Sequence, residues 1–259
     1  MLLENKNVVL YGAGGAIGHG VATTFAREGA RLFLTGRSRG KLDPLAEAIT
    51  DAGGAAEVAV VDALDEQAVD EHARAVAAAG GIDVSLNLVS RGDVQGIPLA
   101  DMTVADFTRA VTTGLTANFI TARAAARHMV ERGSGVILAL NSGSAHSSPM
   151  MGSTGPADAA IDTFVRNLAM EVGPHGVRVV GLWVAGIPET LSPERLAGVN
   201  SSMQLDEAAF QGVLDHLASM RMLRRSPSLD EVSDTAAFLA SDRSALTGVF
   251  VNATGMFPS

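Results

Sequence analysis

The chain has 259 residues, no cysteine, a formal net charge of −9 at pH 7, and 47% hydrophobic against 18% charged residues. This length and apolar content suit one large α/β domain, while the lack of cysteine excludes disulfides, thiol catalysis and cysteine-ligated zinc. The acidic balance argues against nucleic acid as a partner. We expect a cytoplasmic protein with no membrane partner, because the sequence shows neither a signal-peptide pattern nor a bilayer-length apolar stretch.

Short apolar runs alternate along the chain with segments whose apolar residues recur at helical spacing. The runs are Val8–Tyr11, Arg31–Thr35, Glu57–Val61, Val84–Val89, Val136–Leu140, Val177–Val184 and Val249–Val251. Continuous apolar strands separated by helices predict a parallel sheet covered on both faces, and right-handed crossovers make such a sheet doubly wound. We therefore predict a single α/β domain of about seven strands over residues 1–259, since neither an internal repeat nor a linker interrupts the pattern.

A glycine cluster follows the first predicted strand directly and precedes a helical pattern. Glycine lets the backbone adopt positive φ and approach a ligand closely, and the N-terminus of the next helix offers free N–H groups to a phosphate. An ordinary strand-to-helix turn is the alternative, because Ile17 takes the last position of the G-x-G-x-x-G spacing typical of Rossmann folds. The residues of the predicted pyrophosphate site are Gly12, Gly14, Gly15, Ile17 and Gly18.

Polar residues stand at the ends of three predicted strands. Arg37 and Arg39 follow the second strand, where an acidic residue would bind the ribose 2′-hydroxyl of NAD(H) and an arginine accommodates a 2′-phosphate. If a dinucleotide binds, we expect NADP(H) rather than NAD(H); two surface arginines are the alternative. Asp62 ends the third strand, where it would accept a hydrogen bond from adenine. Asn87, in the fourth, is either a ligand contact or a satisfied buried amide.

With these residues placed, the chain resembles the short-chain dehydrogenase/reductase (SDR) family, of the kind typified by oxoacyl-carrier-protein reductases. Gly12 and Gly18 fit the first and last glycines of the family's TGxxxGxG turn. The segment Leu168–Val179 is very like the family's LAxELGPxGIRVN segment. Gly186 and Thr190 fit the PGxxxT loop, which in the family touches the nicotinamide end of the cofactor.

The resemblance implies a Rossmann-type domain, an NADP(H)-dependent oxidoreductase acting on a small molecule, and a lid over the substrate at residues 190–222. It also implies a homotetramer or homodimer, because Val104–Glu131 and Pro156–Val172 resemble the family's oligomer-forming helices.

The family's catalytic side chains are largely missing from this sequence. SDR enzymes use a serine that orients the substrate, a tyrosine acid, a lysine that holds the nicotinamide ribose, and an asparagine. Ser142 matches the serine, but the count along the chain places Gly155 and Ala159 at the tyrosine and lysine positions and Gly114 at the asparagine position. A positioned acid contributes about 10²–10⁴-fold in rate, so we do not expect the family's ordinary mechanism.

Three hypotheses follow from this mixture. The first is an NADP(H)-binding oxidoreductase with an altered mechanism, and the second is a non-redox enzyme that uses Ser142 and His146 in the same cleft. The third is a non-catalytic nucleotide sensor or partner subunit. Histidine is a common general acid or base, but no acidic residue adjoins His146 in sequence, so a flexible loop histidine is the alternative. The histidines show no metal-ligand spacing, and we predict no metal site.

Overall fold

The computed structural model describes residues 1–256 and has a seven-stranded, wholly parallel sheet with strand order β3-β2-β1-β4-β5-β6-β7. The strands are β1 (Asn7–Tyr11), β2 (Arg31–Gly36), β3 (Ala55–Val60), β4 (Val84–Asn87), β5 (Gly135–Asn141), β6 (Val177–Trp183) and β7 (Phe250–Asn252). The predicted doubly wound α/β fold is confirmed. The strand order reverses between β1 and β4, and ligands of open α/β sheets bind in the crevice at such a point.

Eight α-helices connect the strands in the described part of the chain. They are α1 (Ala16–Arg27), α2 (Asp43–Asp51), α3 (Glu66–Ala78), α4 (Val104–Arg132), α5 (Thr154–Val172), α6 (Pro193–Val199), α7 (Glu207–Ser219) and α8 (Leu229–Ala240). Residues 190–222, the predicted lid, hold α6 and α7. Within residues 1–256 no helix is long and apolar enough to cross a membrane.

Two apolar cores lie on opposite faces of the sheet, as alternation along a strand requires. Val8 and Leu10 of β1 belong to the core shared with α1 and α8. Val9 and Tyr11 belong to the core shared with α4 and α5. The sheet is therefore covered on both faces by helices.

The fourth strand ends earlier than its apolar run predicts. It stops at Asn87, whose Oδ1 accepts a hydrogen bond from the backbone N–H of Val89 at 2.9 Å. This local bond offers the backbone an alternative to the β ladder. The chain therefore leaves the sheet two residues before the apolar run ends and enters the loop that carries Arg91.

Candidate functional site

The glycine turn after β1 is too crowded for side chains at two of its positions. Gly12 has φ +82°, and a Cβ there would lie 2.9 Å from the carbonyl carbon and oxygen of Leu88. A Cβ on Gly18 would lie 2.6 Å from the carbonyl oxygen of Ala13. The turn therefore packs β1, the start of α1 and the loop after β4 against each other at backbone distance, and Gly12 also needs its left-handed conformation.

Helix α1 begins with uncapped N–H groups. Its N-cap is Gly15, which has no side chain to accept from them, and its first turn holds no acidic residue. An anion is the complement of such a helix start. Asn87 adds a second donor nearby, because its buried Nδ2 lacks a hydrogen-bond partner within the described chain. The Asn87 amide is therefore hydrogen-bonded through its oxygen alone. The uncapped start of α1 fits a phosphate group of a dinucleotide.

Two adjoining cavities lie along this edge. The first, of about 390 Å³, lies over the ends of β1, β2 and β3, and we call it the β1–β2 cavity. The second, of about 340 Å³, lies over the ends of β4 and β5, and we call it the β4–β5 cavity. The first is lined by Gly12, Gly14, Gly15, Arg37, Lys41 and Asp62, among others. The second is lined by Ile17, Gly18, Asn87, Arg91, Asp93, Ser142, Thr190 and Arg195, among others.

The β1–β2 cavity is bordered by cations at the end of β2. Arg37 lines the cavity as predicted, and so does Lys41, which sequence reasoning did not select. Arg39 instead pairs with Asp43 at 3.0 Å and does not border the cavity. Asp62 lines the opposite side and uses Oδ1 to accept from the N–H of Leu64 at 3.0 Å, which leaves carboxylate capacity for a donor in the cavity.

A buried carboxylate organises the β4–β5 cavity. Asp158 on α5 is fully buried. Its Oδ2 accepts from Ser142 Oγ at 2.6 Å and from the backbone N–H groups of Ser142 and Ser144 at 3.1 and 2.9 Å. Its Oδ1 accepts from Nη1 of Arg91 at 2.5 Å. One carboxylate therefore fixes both the serine hydroxyl and a guanidinium, and the Ser142 proton points at Asp158 rather than into the cavity.

Arg91 is held by two carboxylates. Besides its bond to Asp158, it donates from Nε and Nη2 to Asp93 at 3.3 and 3.0 Å. The side chains are 13% exposed for Arg91, 18% for Asp93 and 0% for Asp158. Burial by itself lowers the pKa of the Arg91 guanidinium, but the two carboxylates more than offset this and raise the pKa above its usual range. Arg91 therefore remains a cation inside the cleft.

The side chain of Arg91 fills the space above Gly114. A Cβ on Gly114 would lie 2.6 Å from Cδ of Arg91. An asparagine at this position of α4 is therefore incompatible with Arg91 in its present place. The absence of the family's asparagine and the presence of the arginine are two parts of one arrangement.

The residues of α5 that face Ser142 are not the predicted ones. Thr154 and Asp158, one helical turn apart, point toward the β4–β5 cavity, and Thr154 Oγ1 donates to Asp93 at 2.9 Å. Gly155 packs below the Ser144 loop, where a Cβ would lie 2.7 Å from the Ser144 carbonyl oxygen. Ala159 is exposed and borders a separate cavity. The structure therefore brings Thr154 and Asp158, rather than positions 155 and 159, next to the residues that line this cavity.

The predicted pairing of Ser142 with His146 is not formed. His146 is exposed and lines the same separate cavity as Ala159, together with Arg166 and Trp183. Ser142 lines the β4–β5 cavity and bonds to Asp158 and Ser144. The loop after β5 directs the two side chains to different cavities. Among the described residues no cluster of three or more metal-ligating side chains occurs.

A buried arginine fixes the loop that follows β6. Arg221, 1% exposed, donates from Nη2 to the carbonyl oxygens of Ala185 and Gly186 at 2.8 and 3.2 Å. Its Nε donates to the Thr254 carbonyl at 2.9 Å, and its Nη1 to the Leu217 carbonyl. Gly186, with φ +60°, lies against this guanidinium and lines neither of the two cavities. Thr190, four residues later, lines the β4–β5 cavity.

Comparison with known proteins agrees with this geometry. Residues 12–253 match a family model described as enoyl-(acyl carrier protein) reductase, adh_short_C2. The chain is 30% identical over 249 residues to L-rhamnose 1-dehydrogenase (NAD(P)(+)) of Azotobacter vinelandii, covering 93% of this chain and 92% of that one. It is 28% identical over 241 residues to 7alpha-hydroxysteroid dehydrogenase of Escherichia coli K12, covering 92% of this chain and 88% of that one.

Solved structures share the fold over almost the whole chain. NAD+-bound xylitol dehydrogenase superposes with a TM-score of 0.87 at 24% identity, covering 98% of this chain and 100% of that one. A gluconate 5-dehydrogenase from Burkholderia cenocepacia, in complex with NADP and tartrate, gives a TM-score of 0.82 at 24% identity, covering 98% and 95%. The chain belongs to the short-chain dehydrogenase/reductase family of oxidoreductases.

Proposed function

We propose that this chain is an NADP(H)-binding oxidoreductase that acts on a small-molecule alcohol or carbonyl with a rebuilt catalytic centre. The β1–β2 cavity takes the adenosine half of the cofactor, with its 2′-phosphate beside Arg37 and Lys41. The β4–β5 cavity takes the nicotinamide half and the substrate. The observation that carries the cofactor choice is the pair of cations after β2, with no carboxylate lining that part of the cavity.

The physical reason is charge complementarity. A 2′-phosphate brings negative charge to the end of β2, where NAD(H) carries a neutral hydroxyl. The guanidinium of Arg37 matches a phosphate bidentately, and Lys41 adds a second positive charge on the same wall. Asp43, the acidic side chain nearest to Arg37 in sequence, pairs with Arg39 and does not line the cavity.

The uncapped start of α1 supports binding of the pyrophosphate. Gly14 and Gly15 line the β1–β2 cavity, and Gly15 to Gly18 line the neighbouring one, so the helix start borders both. Asp62 would accept from the adenine amino group, and Thr190 would contact the nicotinamide end together with the Gly186 loop, as the family resemblance implies. When bound, the cofactor supplies or accepts a hydride.

The side chains around the substrate differ from those of the family in kind and in charge. Arg91 has five N–H donors, of which three are used by Asp93 and Asp158, so two remain to hold a substrate oxygen. Ser142 donates its proton to Asp158 and can therefore accept a hydrogen bond from a substrate hydroxyl. Developing charge on that oxygen would be stabilised by the guanidinium, which remains charged without a tyrosine or lysine nearby.

A nucleotide-binding subunit without turnover is the second candidate. It is favoured by Asp158, which is fully buried and whose oxygens already accept four hydrogen bonds from its own chain rather than from a substrate. The non-redox reading based on His146 has no such support, since His146 borders a different cavity. Assembly into a homotetramer or homodimer is a further part of the proposal, and it is supported by exposed apolar residues on α4 and α5 such as Phe119 and Met170.

The test is a titration with NADPH and NADH. Binding is followed by quenching of Trp183, the single tryptophan, and by calorimetry. We expect NADPH to bind at least about tenfold more tightly than NADH, because charge-assisted hydrogen bonds contribute about 1.5–3 kcal/mol each. Arg37→Ala should remove most of this preference. Arg39→Ala is the matched control and should preserve it, since Arg39 faces Asp43.

Failure of either nucleotide to bind at millimolar concentration would overturn the proposal. Equal affinity for the two nucleotides would overturn the choice of NADP(H). Tight binding of NADP(H), with no reduction of NADP⁺ by a panel of sugars, sugar acids and hydroxysteroids, the compound classes named for the relatives, would favour the non-catalytic subunit.

A further inference from the structure

We infer that the β4–β5 cavity selects the oxidised form of the cofactor, so that NADP⁺ binds more tightly than NADPH. This inference rests on the proposed function, because it concerns the nicotinamide half of the same cofactor. It follows from the charges and hydrogen-bond directions of residues that border this cavity.

The charged cluster of Arg91, Asp93 and Asp158 carries a net negative charge; Arg91 and Asp93 line the cavity, and Asp158 is buried beside it. Arg91 contributes one positive charge, and its partners Asp93 and Asp158 contribute two negative charges at 3.0 and 2.5 Å from its nitrogens. Two carboxylates against one guanidinium leave a single uncompensated negative charge in this cluster.

Neighbouring cations do not cancel this charge. Arg195, at the mouth of the cavity, is exposed and donates to the Thr190 carbonyl at 2.7 Å. Arg109 lies near the loop of Gly92, but it pairs with Asp106 at 2.9 Å on the exposed face of α4. Water screens exposed charges more strongly than buried ones, so the field inside the cavity is set by the buried cluster.

The hydrogen-bond directions agree with the charge. Ser142 Oγ donates to Asp158, and therefore the 2.9 Å contact between Ser142 and Ser144 has Ser144 as donor. Ser142 thus presents a lone pair to the cavity. Asn87, 93% buried, also borders this cavity, and its Nδ2 lacks a hydrogen-bond partner within the described chain.

The two redox states of the cofactor differ at the ring that this cavity would receive. The oxidised nicotinamide ring is a cation and the reduced ring is neutral, while the phosphates and the adenosine are the same in both. The ratio of the two dissociation constants therefore reports the charge around the ring and cancels the contribution of the β1–β2 cavity. One unit charge acting over several ångströms at a partly buried site gives a preference of about tenfold.

The experiment measures the dissociation constants of NADP⁺ and NADPH for the full chain by calorimetry, with Trp183 quenching as a second readout. We expect NADP⁺ to bind about tenfold more tightly. Asp93→Asn should lower this ratio toward one by weakening NADP⁺ binding alone, since an asparagine can still accept from Arg91 and Thr154. Asp51→Asn, exposed at the end of α2, is the matched control and should leave the ratio unchanged.

A second variant keeps the inference falsifiable if Asp93→Asn fails to fold. Arg195→Gln removes an exposed cation from the mouth of the cavity and should raise the ratio about twofold to threefold through a screened interaction. Equal or tighter binding of NADPH to the wild-type protein, or an equal effect of Asp93→Asn on both nucleotides, would overturn this inference alone. Failure of both nucleotides to bind would overturn it together with the proposed function.

Discussion

The β1–β2 and β4–β5 cavities border the same sheet edge but differ in the charged groups that line them. The first keeps the glycine turn, an uncapped helix start and cations after β2. Within the described part of the chain, the second is lined by neither tyrosine nor lysine, and holds an arginine between two aspartates. Under the proposed function, the first cavity therefore keeps the groups that bind a nucleotide, while the second carries a different set of charged groups.

The replacement is a coherent set of substitutions and not a simple loss. A buried carboxylate such as Asp158 is costly unless it is paired and hydrogen-bonded. Arg91 supplies the pair, and Gly114 supplies the room for its side chain. The three residues therefore depend on one another, although they lie on three separate elements.

The largest expected effect comes from rebuilding the family's centre in the register that the structure gives. A fourfold variant, Thr154→Tyr, Asp158→Lys, Gly114→Asn and Arg91→Ala, replaces the rewired set with the family's residue types. With NADPH and a panel of simple ketones, we expect carbonyl reductase activity to rise by about 10²–10⁴-fold, the usual contribution of a positioned acid.

The matched comparison is Gly155→Tyr with Ala159→Lys, the register counted from sequence. This variant should gain no activity and should be destabilised, because a Cβ on Gly155 meets the Ser144 carbonyl at 2.7 Å. Activity in this variant but not in the fourfold one would contradict the assigned register. Circular dichroism and NADPH binding show whether each variant is folded.

The next effect is on stability. Arg91→Ala leaves Asp93 and Asp158 without their cation, and removal of one partner from a buried ion pair costs about 3–5 kcal/mol. We expect this loss in the free energy of unfolding, measured by urea denaturation. Arg109→Ala, which breaks an exposed pair with Asp106, should cost less than about 1 kcal/mol. Equal losses in the two variants would show that the Arg91 cluster is no more than a surface ion pair.

The fold was predictable because the signal for it is local. Apolar runs such as Val8–Tyr11, separated by helical periodicity, predict parallel strands under helices without any knowledge of tertiary contacts. The end of β4 was not predictable in the same way. The side-chain bond from Asn87 to the N–H of Val89 ends the strand inside an apolar run, and apolar periodicity does not register such a bond.

The rebuilt centre was harder to predict, because its parts are distant in sequence. Nothing near Arg91 indicates that it reaches Gly114 on α4 or Asp158 on α5. The register along α5 did have a local signal. Asp158 falls on the same helical stripe as the buried residues Ile161 and Val165, and a carboxylate on an apolar stripe predicts a buried partner. A count along the sequence carries no such physical check on the helical face that a residue occupies.

A smaller effect is expected from Arg221→Met, which tests whether the two cavities bind their parts of the cofactor independently. Arg221→Met removes the donor from the carbonyls of the Gly186 loop, which leads to the wall of the β4–β5 cavity. We expect NADP⁺ to bind about fivefold less tightly, roughly the loss of one net hydrogen bond of about 1 kcal/mol. Adenosine 2′,5′-bisphosphate, which would fill the β1–β2 cavity alone, should bind unchanged. An equal loss for both ligands, measured by calorimetry, would show that the two cavities are not independent.

The smallest expected effect belongs to His146. Because its side chain is exposed and borders a cavity that Ser142 does not line, His146→Ala should change neither NADPH affinity nor any turnover by more than about twofold, as for most surface substitutions. Ser142→Ala is the informative partner, since it removes the hydroxyl that Asp158 orients and should weaken any turnover strongly while cofactor affinity changes little. A large loss of turnover in the histidine variant, with the serine variant unaffected, would move the chemistry from the β4–β5 cavity to the one beside Trp183. That outcome would contradict the proposed assignment of the β1–β2 cavity to the nucleotide and of the β4–β5 cavity to the reaction, because the reacting groups would then lie in neither cavity.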